Sequence, residues 1–105
     1  MHVIHWKKQA INDTIRIGRH IAQNSQANAD KIVSLIEDKV MPLAAHPNMG
    51  RVGVKRGTRE LVAHENYLVI YRVLPSKVEI LRVKHTAQQW PKLSDDEKQL
   101  FRVLT

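Results

Sequence analysis

The sequence predicts one α/β domain, more strictly α+β, in which an N-terminal strand and a helical hairpin pack with a small, mainly antiparallel sheet. Three observations support this prediction. The chain has 105 residues, the size of one compact domain with its own core. Its first half contains two segments with apolar residues at helical spacing. Its second half contains three segments rich in Val, Ile, Leu and Tyr, which is typical of strands.

The N-terminal half begins with a short strand over residues 2–6, and a helical pattern follows over residues 9–23. On a helical wheel the apolar side chains of this pattern occupy one arc of roughly 160° and are expected to face the core. They are Ala10, Ile11, Ile15, Ile17, Gly18, Ile21 and Ala22, and Asp13, Arg16 and His20 lie on the opposite, polar side. Asn24-Ser25 breaks the pattern, and Ser25 can cap a second amphipathic helix over about 27–44. Two such helices form a hairpin that must pack on another layer.

The second half opens with a basic, glycine-rich stretch over residues 46–57, which we interpret as a loop. Three strands are predicted after it, over residues 58–65, 67–74 and 77–85, separated by Asn66 and by Pro75-Ser76. Because the connections are short, the three strands should form an antiparallel meander.

The turn at Pro75-Ser76 sets a register for the last two strands. If Val73 pairs with Val78, then Arg72 lies opposite Glu79, Tyr71 opposite Ile80, and Val69 opposite Arg82. One face, expected beneath the helices, then holds Leu68, Ile70, Leu74, Leu81 and Val83. The other face holds Val69, Tyr71, Val73, Val78 and Ile80, with Arg82 and Lys84 at its end. A slip by one residue would exchange the two faces.

The C-terminal residues form a separate extension. Ser94-Asp95-Asp96-Glu97 has the form of a capping box, and Leu100, Phe101, Val103 and Leu104 follow it, so a short helix is predicted. We therefore divide the chain into a domain over residues 1–91 and an extension over residues 92–105.

Composition excludes several classes of protein. Cysteine is absent, which removes disulfides, thiolate zinc sites and iron–sulfur clusters. No window contains 18 uncharged apolar residues, so we expect a soluble cytoplasmic protein with no membrane partner. The histidines show no metal-ligand spacing, and we predict no metal and no cofactor.

The net charge of +7 is concentrated in the middle of the chain, because residues 46–92 carry nine basic and three acidic side chains. A concentrated positive field attracts nucleic acid, an acidic protein or anionic lipid. His64 and His85 lie at predicted strand ends and could act as general acid or base. Together with Lys84, Arg82, Arg59 and Arg56 they could form a phosphodiester site; the alternative is that both histidines serve only in packing.

Four motifs and the order of the elements resemble a known family. The motifs are His46-Pro47, Gly57-Thr58-Arg59-Glu60-Leu61, Tyr67-Leu68-Val69-Ile70-Tyr71-Arg72-Val73 and Val78-Glu79-Ile80-Leu81-Arg82-Val83-Lys84-His85. With Trp90-Pro91, they make residues 1 to about 91 similar to the RelE/ParE toxin superfamily of bacterial type II toxin–antitoxin modules. The resemblance implies the fold described above.

The resemblance also implies one of two activities. RelE-like members cut mRNA in the ribosomal A site, whereas ParE-like members are described as poisons of DNA gyrase. Where RelE-like toxins have two catalytic arginines, this sequence has Leu68 and Thr86, and the C-terminal tyrosine is missing. His85 falls where some nuclease toxins have a histidine, but ParE-like sequences have one there too. These departures favour the ParE-like activity.

We therefore expect a ParE-like toxin that inhibits gyrase by binding and is neutralised by an acidic, partly disordered segment of a cognate antitoxin. The residues expected to bind partners are Arg51, Lys55, Arg56, Arg59, Tyr71, Arg82 and Lys84. One alternative is a RelE-like, metal-independent endoribonuclease that cuts ribosome-bound mRNA with His85, Arg82, Arg59 and His64. Another alternative is a non-toxic antitoxin-binding module.

Overall fold

The computed structural model describes residues 1–86, and these form two helices packed on a five-stranded mixed sheet. In chain order the elements are β1 (Val3–Trp6), α1 (Lys8–Ala22), α2 (Gln26–Val40), a 3₁₀ turn (Met41–Ala44), β2 (Arg51–Val52), β3 (Arg59–His64), β4 (Tyr67–Val73) and β5 (Lys77–His85). The strands lie in the order β1-β5-β4-β3-β2. The α+β class and the predicted hairpin and meander are confirmed. The predicted C-terminal helix lies outside the described residues.

The sheet is antiparallel except at one edge, where β1 runs parallel to the first half of β5. Val3 pairs with Lys77 and Trp6 with Ile80, so residues from the two ends of the domain lie side by side. The Lys7 N–H then donates to the Ile80 carbonyl, and the chain leaves the sheet to begin α1. Beyond Ile80, β1 therefore no longer pairs with β5, and we call this part of the strand the uncovered edge of β5.

The helical hairpin forms where the sequence predicts it. Ser25 caps α2, because its hydroxyl accepts the Asn28 N–H at 3.2 Å. The predicted apolar stripe of α1, however, is only partly buried. Ala10 is fully buried, whereas Ile11 and Ile15 are 44% and 47% exposed. The prediction that the whole stripe faces the core is wrong for these two isoleucines, which lie beside a groove described below.

The predicted faces of the sheet are exchanged. The core beneath the helices contains Val69, Tyr71, Val78 and Ile80, which pack with Ile36, Val40 and Leu43 of the hairpin and the 3₁₀ turn. The set predicted to lie there, Leu68, Ile70, Leu74 and Leu81, is absent from this cluster. The predicted pairs up to Tyr71–Ile80 are confirmed, and Arg72 donates a hydrogen bond to Glu79 that lowers the pKa of that carboxyl. These three pairs were therefore predicted correctly, but the face was not.

A β-bulge explains why Val83 nevertheless belongs to the core. Tyr71 pairs with Ile80 but Ile70 pairs with Arg82, so Leu81 is an extra residue on β5. The bulge shifts the register by one residue, so that Val69 pairs with Val83 and not with Arg82 as predicted. Val83 thereby joins the helix-covered face, and Arg82 pairs with Ile70 at the uncovered edge of β5.

Within residues 1–86, no helix is long and apolar enough to cross a membrane.

Candidate functional site

An apolar groove lies between α1 and α2 and has a volume of about 730 Å³. We call it the hairpin groove and define it by Ile4, Trp6, Ile11, Ile15, Val33 and Met41. Gly18 lets the helices approach closely, since a Cβ at this position would lie 3.2 Å from Val33 Cγ2. The half-exposed Ile11 and Ile15 stand at this groove. The hairpin groove therefore presents apolar side chains that the described residues leave accessible.

A charged network lies at the uncovered edge of β5. The Asp13 carboxylate accepts hydrogen bonds from Arg82 Nε at 2.7 Å, from Arg82 Nη2 at 3.0 Å and from the Val83 N–H at 3.0 Å. Arg16 Nη1 lies 3.7 Å from the same carboxylate. Asp13 of α1 thus accepts a hydrogen bond from the backbone of β5 and links the helix to the strand.

Asp13 was predicted to face solvent, and this prediction is wrong, since the residue is buried. Burial alone would raise the pKa of its carboxyl, but the hydrogen bonds from Arg82 and Val83 outweigh burial and lower the pKa below its usual value. The hydrogen bonds with Asp13 also raise the pKa of the Arg82 guanidinium. At neutral pH the site is therefore an ion pair.

Of the residues predicted for RNA cleavage, the structure separates Arg59 from the two histidines. His64 and His85 flank Tyr67, with ring centroids 5.9 and 5.5 Å from it, and His64 Nδ1 accepts the Asn66 N–H. Arg82 is engaged by Asp13. Arg59 pairs with Tyr71, four residues along β4 from Tyr67, which corresponds to about 13 Å at the usual rise of a strand.

Arg59 and Tyr71 instead hold the loop that precedes β2. The Tyr71 hydroxyl accepts the Gly50 N–H at 2.9 Å and donates to the Pro47 carbonyl at 2.7 Å. Arg59 Nη1 donates to the Gly50 carbonyl at 2.8 Å. Tyr71 is fully buried, so its predicted role in partner binding is not available in this structure, and its contacts indicate a structural role.

The other predicted partner-binding residues lie at two separate places. Arg51, Lys55 and Arg56 are exposed on and after β2, where Arg51 Nε donates to the buried Glu60 at 3.0 Å. Arg82 and Lys84 lie near the far end of β5. Since β2 and the uncovered half of β5 are separated in the sheet by β3 and β4, the basic residues do not form one surface.

Among residues 1–86, no group of three or more histidines and carboxylates could hold a metal ion.

Comparison with known proteins identifies the family. Residues 4–90 match the family described as ParE toxin of type II toxin-antitoxin system, parDE. The chain belongs to this family. The Y4kP protein of Sinorhizobium fredii is 38% identical to this chain over 91 residues, which are 86% of this chain and 94% of that protein. Toxin RelE2 of Caulobacter vibrioides is 30% identical over 83 residues, 79% of this chain and 93% of that protein.

Solved structures agree with the ParE-family assignment. A chain of the chromosomal ParDE system from P. aeruginosa matches with a TM-score of 0.72 and 27% identity, over 81% of this chain and 96% of that chain. The YoeB dimer from Staphylococcus aureus matches with a TM-score of 0.56 at 16% identity, over 79% and 94% of the two chains, and shows the shared fold alone.

Sequence reasoning missed two features of this ParE-family protein, Asp13 and the hairpin groove. Asp13 lies on the predicted polar side of α1, and only its contact in space with Arg82, 69 residues later, shows its role. The sequence did contain a signal for the groove. The predicted apolar arc of α1 is wider than is needed to pack one face of the helix on the core, so part of it could remain accessible. The stripe was assigned entirely to the core, although Ile11 and Ile15 lie at its edge.

Proposed function

We propose that this ParE-family protein is the toxin of a type II module and that it inhibits DNA gyrase by binding, without cutting RNA. The observation that carries the proposal is that Arg59 is separated from the two candidate histidines and that Arg82 is held by Asp13. Metal-independent RNA cleavage needs a base, an acid and positive charge at one phosphate. Here Arg59 secures a loop, Arg82 is paired with Asp13, and the two histidines flank Tyr67. The resemblance to ParE-like toxins supports gyrase as the target.

We further propose that a cognate antitoxin neutralises the protein by placing an amphipathic segment in the hairpin groove. The groove offers apolar side chains from β1, α1 and α2, and its volume of about 730 Å³ admits several side chains of a docked helix. The chain is 27% identical to one chain of the ParDE system from P. aeruginosa, and this similarity supports a partner of this kind. Fully burying an exposed isoleucine is worth about 1.5–3 kcal/mol, so the half-exposed Ile11 and Ile15 would each gain about half of that on docking.

Co-expression tests the antitoxin site. The partner is the polypeptide encoded by the reading frame beside this gene, and growth arrest is the readout. Ile15→Asp should keep its fold, because Ile15 is half exposed, but should no longer be neutralised. Val62→Asp is the matched control, since Val62 is 52% exposed, lies on β3 and does not line the groove. Neutralisation of Ile15→Asp at the wild-type level would refute this site.

Purified protein tests the target. We expect inhibition of gyrase supercoiling and no cleavage of ribosome-bound mRNA. One observation favours the alternative of a RelE-like endoribonuclease, because two Caulobacter vibrioides relatives named RelE2 and RelE3 are 30% and 31% identical to this chain. Cleavage of mRNA that is lost in His85→Ala, with supercoiling unaffected, would establish that alternative. Expression without growth arrest would indicate a non-toxic antitoxin-binding module.

A further inference from the structure

The face of the sheet opposite the helices carries apolar side chains on its central strands. Val69 and Tyr71 of β4 belong to the core beneath the helices, so the alternation of a strand places Leu68 and Ile70 on the other face. Val62 of β3 pairs with Leu68 and therefore shares that face. We call Val62, Leu68 and Ile70 the far patch. Both helices of the described part of the chain pack on the opposite face of the sheet.

Ile70 is fully buried although it lies on this far face. It is absent from the core cluster that the helices cover. Its cross-strand neighbours are Glu60 and Arg82, whose charged groups are engaged by Arg51 and Asp13. The second face of an antiparallel sheet is normally solvated, so full burial of a residue there requires a further group lying over it. The burial of Ile70 therefore indicates a cover that α1 and α2 do not supply.

The chain beyond Thr86 has the length and the starting point to supply this cover. The Thr86 N–H donates to the Asn66 carbonyl at 2.8 Å, so the chain leaves the sheet beside the turn between β3 and β4. Ile70 lies four residues from Asn66, which corresponds to about 13 Å along β4. Residues 87–93 can span up to about 23 Å when extended, which exceeds that distance. The helix predicted after Ser94 would be about 17 Å long and could cross three neighbouring strands.

The sequence of residues 92–105 fits an apolar surface. On a helical wheel its bulky apolar side chains share one arc of about 160°, and the polar side chains between them lie outside it. The apolar set is Leu100, Phe101, Val103 and Leu104, and the polar set is Lys98, Gln99 and Arg102. The match to the ParE family ends at residue 90, so these residues are an addition to the part of the chain that the family model covers.

We propose that residues 92–105 fold back as an amphipathic helix over the far patch and form a third layer of the domain. The apolar side of this helix packs on Leu68 and Ile70, while Val62, which is 52% exposed, marks the border of the covered area. The hairpin groove lies in the other layer, so the segment closes the far face and leaves the groove open to a partner. This proposal depends neither on the target nor on the antitoxin.

NMR of the full chain tests this cover. The protein has one phenylalanine, so the ring signals of Phe101 are unambiguous, and we expect NOEs from this ring to the methyl groups of Leu68 and Ile70. Phe101→Asp should remove these contacts and lower the melting temperature by about 5 °C or more, because it places a charge against the far patch. Gln99→Asp is the matched control, since it adds the same charge on the polar side of the predicted helix. If Phe101→Asp does not fold, Phe101→Leu serves, because it keeps the apolar contact and removes only the ring-current shift of the Ile70 methyl signals.

Three results would overturn the proposal. NOEs from Phe101 to Ile11 or Ile15 would place the segment in the hairpin groove. NOEs from Phe101 to Ile70 that occur only between differently labelled molecules in a mixed sample would assign the cover to a second copy of the chain. Sharp Phe101 signals without long-range NOEs, together with an unchanged melting temperature of Phe101→Asp, would show that residues 92–105 do not dock.

Discussion

Replacing Asp13 with Asn tests the network that joins α1 to β5. Asparagine keeps the shape of the side chain and one acceptor oxygen, but it removes the charge that Arg82 faces. The Asp13 side chain is 5% exposed and that of Arg82 is 20% exposed, so solvent screens this pair less than a surface ion pair. The variant therefore removes the carboxylate charge that faces a largely buried guanidinium.

The expected cost follows from this geometry. Removing one partner of a fully buried ion pair destabilises a protein by about 3–5 kcal/mol. Arg82 retains some contact with water, and asparagine can still accept one of the three hydrogen bonds, so we expect about 2–3 kcal/mol for Asp13→Asn. In a domain of this size each kcal/mol lowers the melting temperature by about 4–8 °C. The melting temperature should therefore fall by about 10–20 °C.

Urea unfolding at several pH values measures the effect. The pKa of Asp13 is lowered in the folded state from its ordinary value of 3.8, so the ionised carboxylate stabilises the fold above that value. This stability is lost as the pH falls through the lower, folded-state pKa. The difference between wild type and Asp13→Asn should be constant near neutral pH and should shrink as the pH falls below about 4.

The matched control is Asp30→Asn, which removes the same charge from an exposed position on α2. Its free energy of unfolding should stay within about 0.5 kcal/mol of wild type. If Asp13→Asn also stays within that limit at pH 7, the network contributes little and the argument from burial is wrong.

Three further substitutions have expected outcomes. Tyr71→Phe leaves the Gly50 N–H and the Pro47 carbonyl without their partner, so it should cost about 1–3 kcal/mol and speed proteolysis of that loop. Gly50→Ala places a Cβ 2.7 Å from the Tyr71 hydroxyl oxygen, and urea unfolding should show a loss of about 1–3 kcal/mol. Ser25→Ala removes the cap that accepts the Asn28 N–H and should cost about 1 kcal/mol in thermal unfolding.

These three have their own controls. Ser34→Ala changes an exposed serine within α2 and should be nearly neutral, so an equal effect of both serine variants would argue against capping. If the loop is cut no faster in Tyr71→Phe than in wild type, the hydroxyl does not secure it. Wild-type stability of Gly50→Ala would show that the loop moves freely away from Tyr71.

The sequence was sufficient to predict both helices, four of the five strands and the register of β4 with β5 up to the bulge; β2 lies in the stretch predicted as a loop. Helical spacing and a serine cap located α1 and α2, and the turn at Pro75-Ser76 correctly paired Val73 with Val78. The buried face could not be predicted, because both faces of β4 carry apolar residues and alternation alone does not choose between them. The bulge at Leu81 has no local signal, and it decides which residues of β4 pair with Arg82 and Val83.

The candidate site was less predictable than the fold. Arg51, Lys55 and Arg56 were recognised as basic and exposed from composition alone. Tyr71 and Arg59 were expected at a partner surface, but each is used to secure a loop that lies distant in sequence. Such roles depend on contacts between residues that are 9 to 24 positions apart in the sequence, and residue type and spacing do not predict these contacts.

The parallel pairing of β1 with β5 has a consequence for biosynthesis. Val3 leaves the ribosome first, yet the strand that it pairs with starts at Lys77. Because Ile4 and Trp6 of β1 line the hairpin groove, a nascent chain cannot complete the groove until most of the domain has been translated. An inhibitor that recognises the finished groove can act only on almost completed molecules, and the sheet order itself sets that delay.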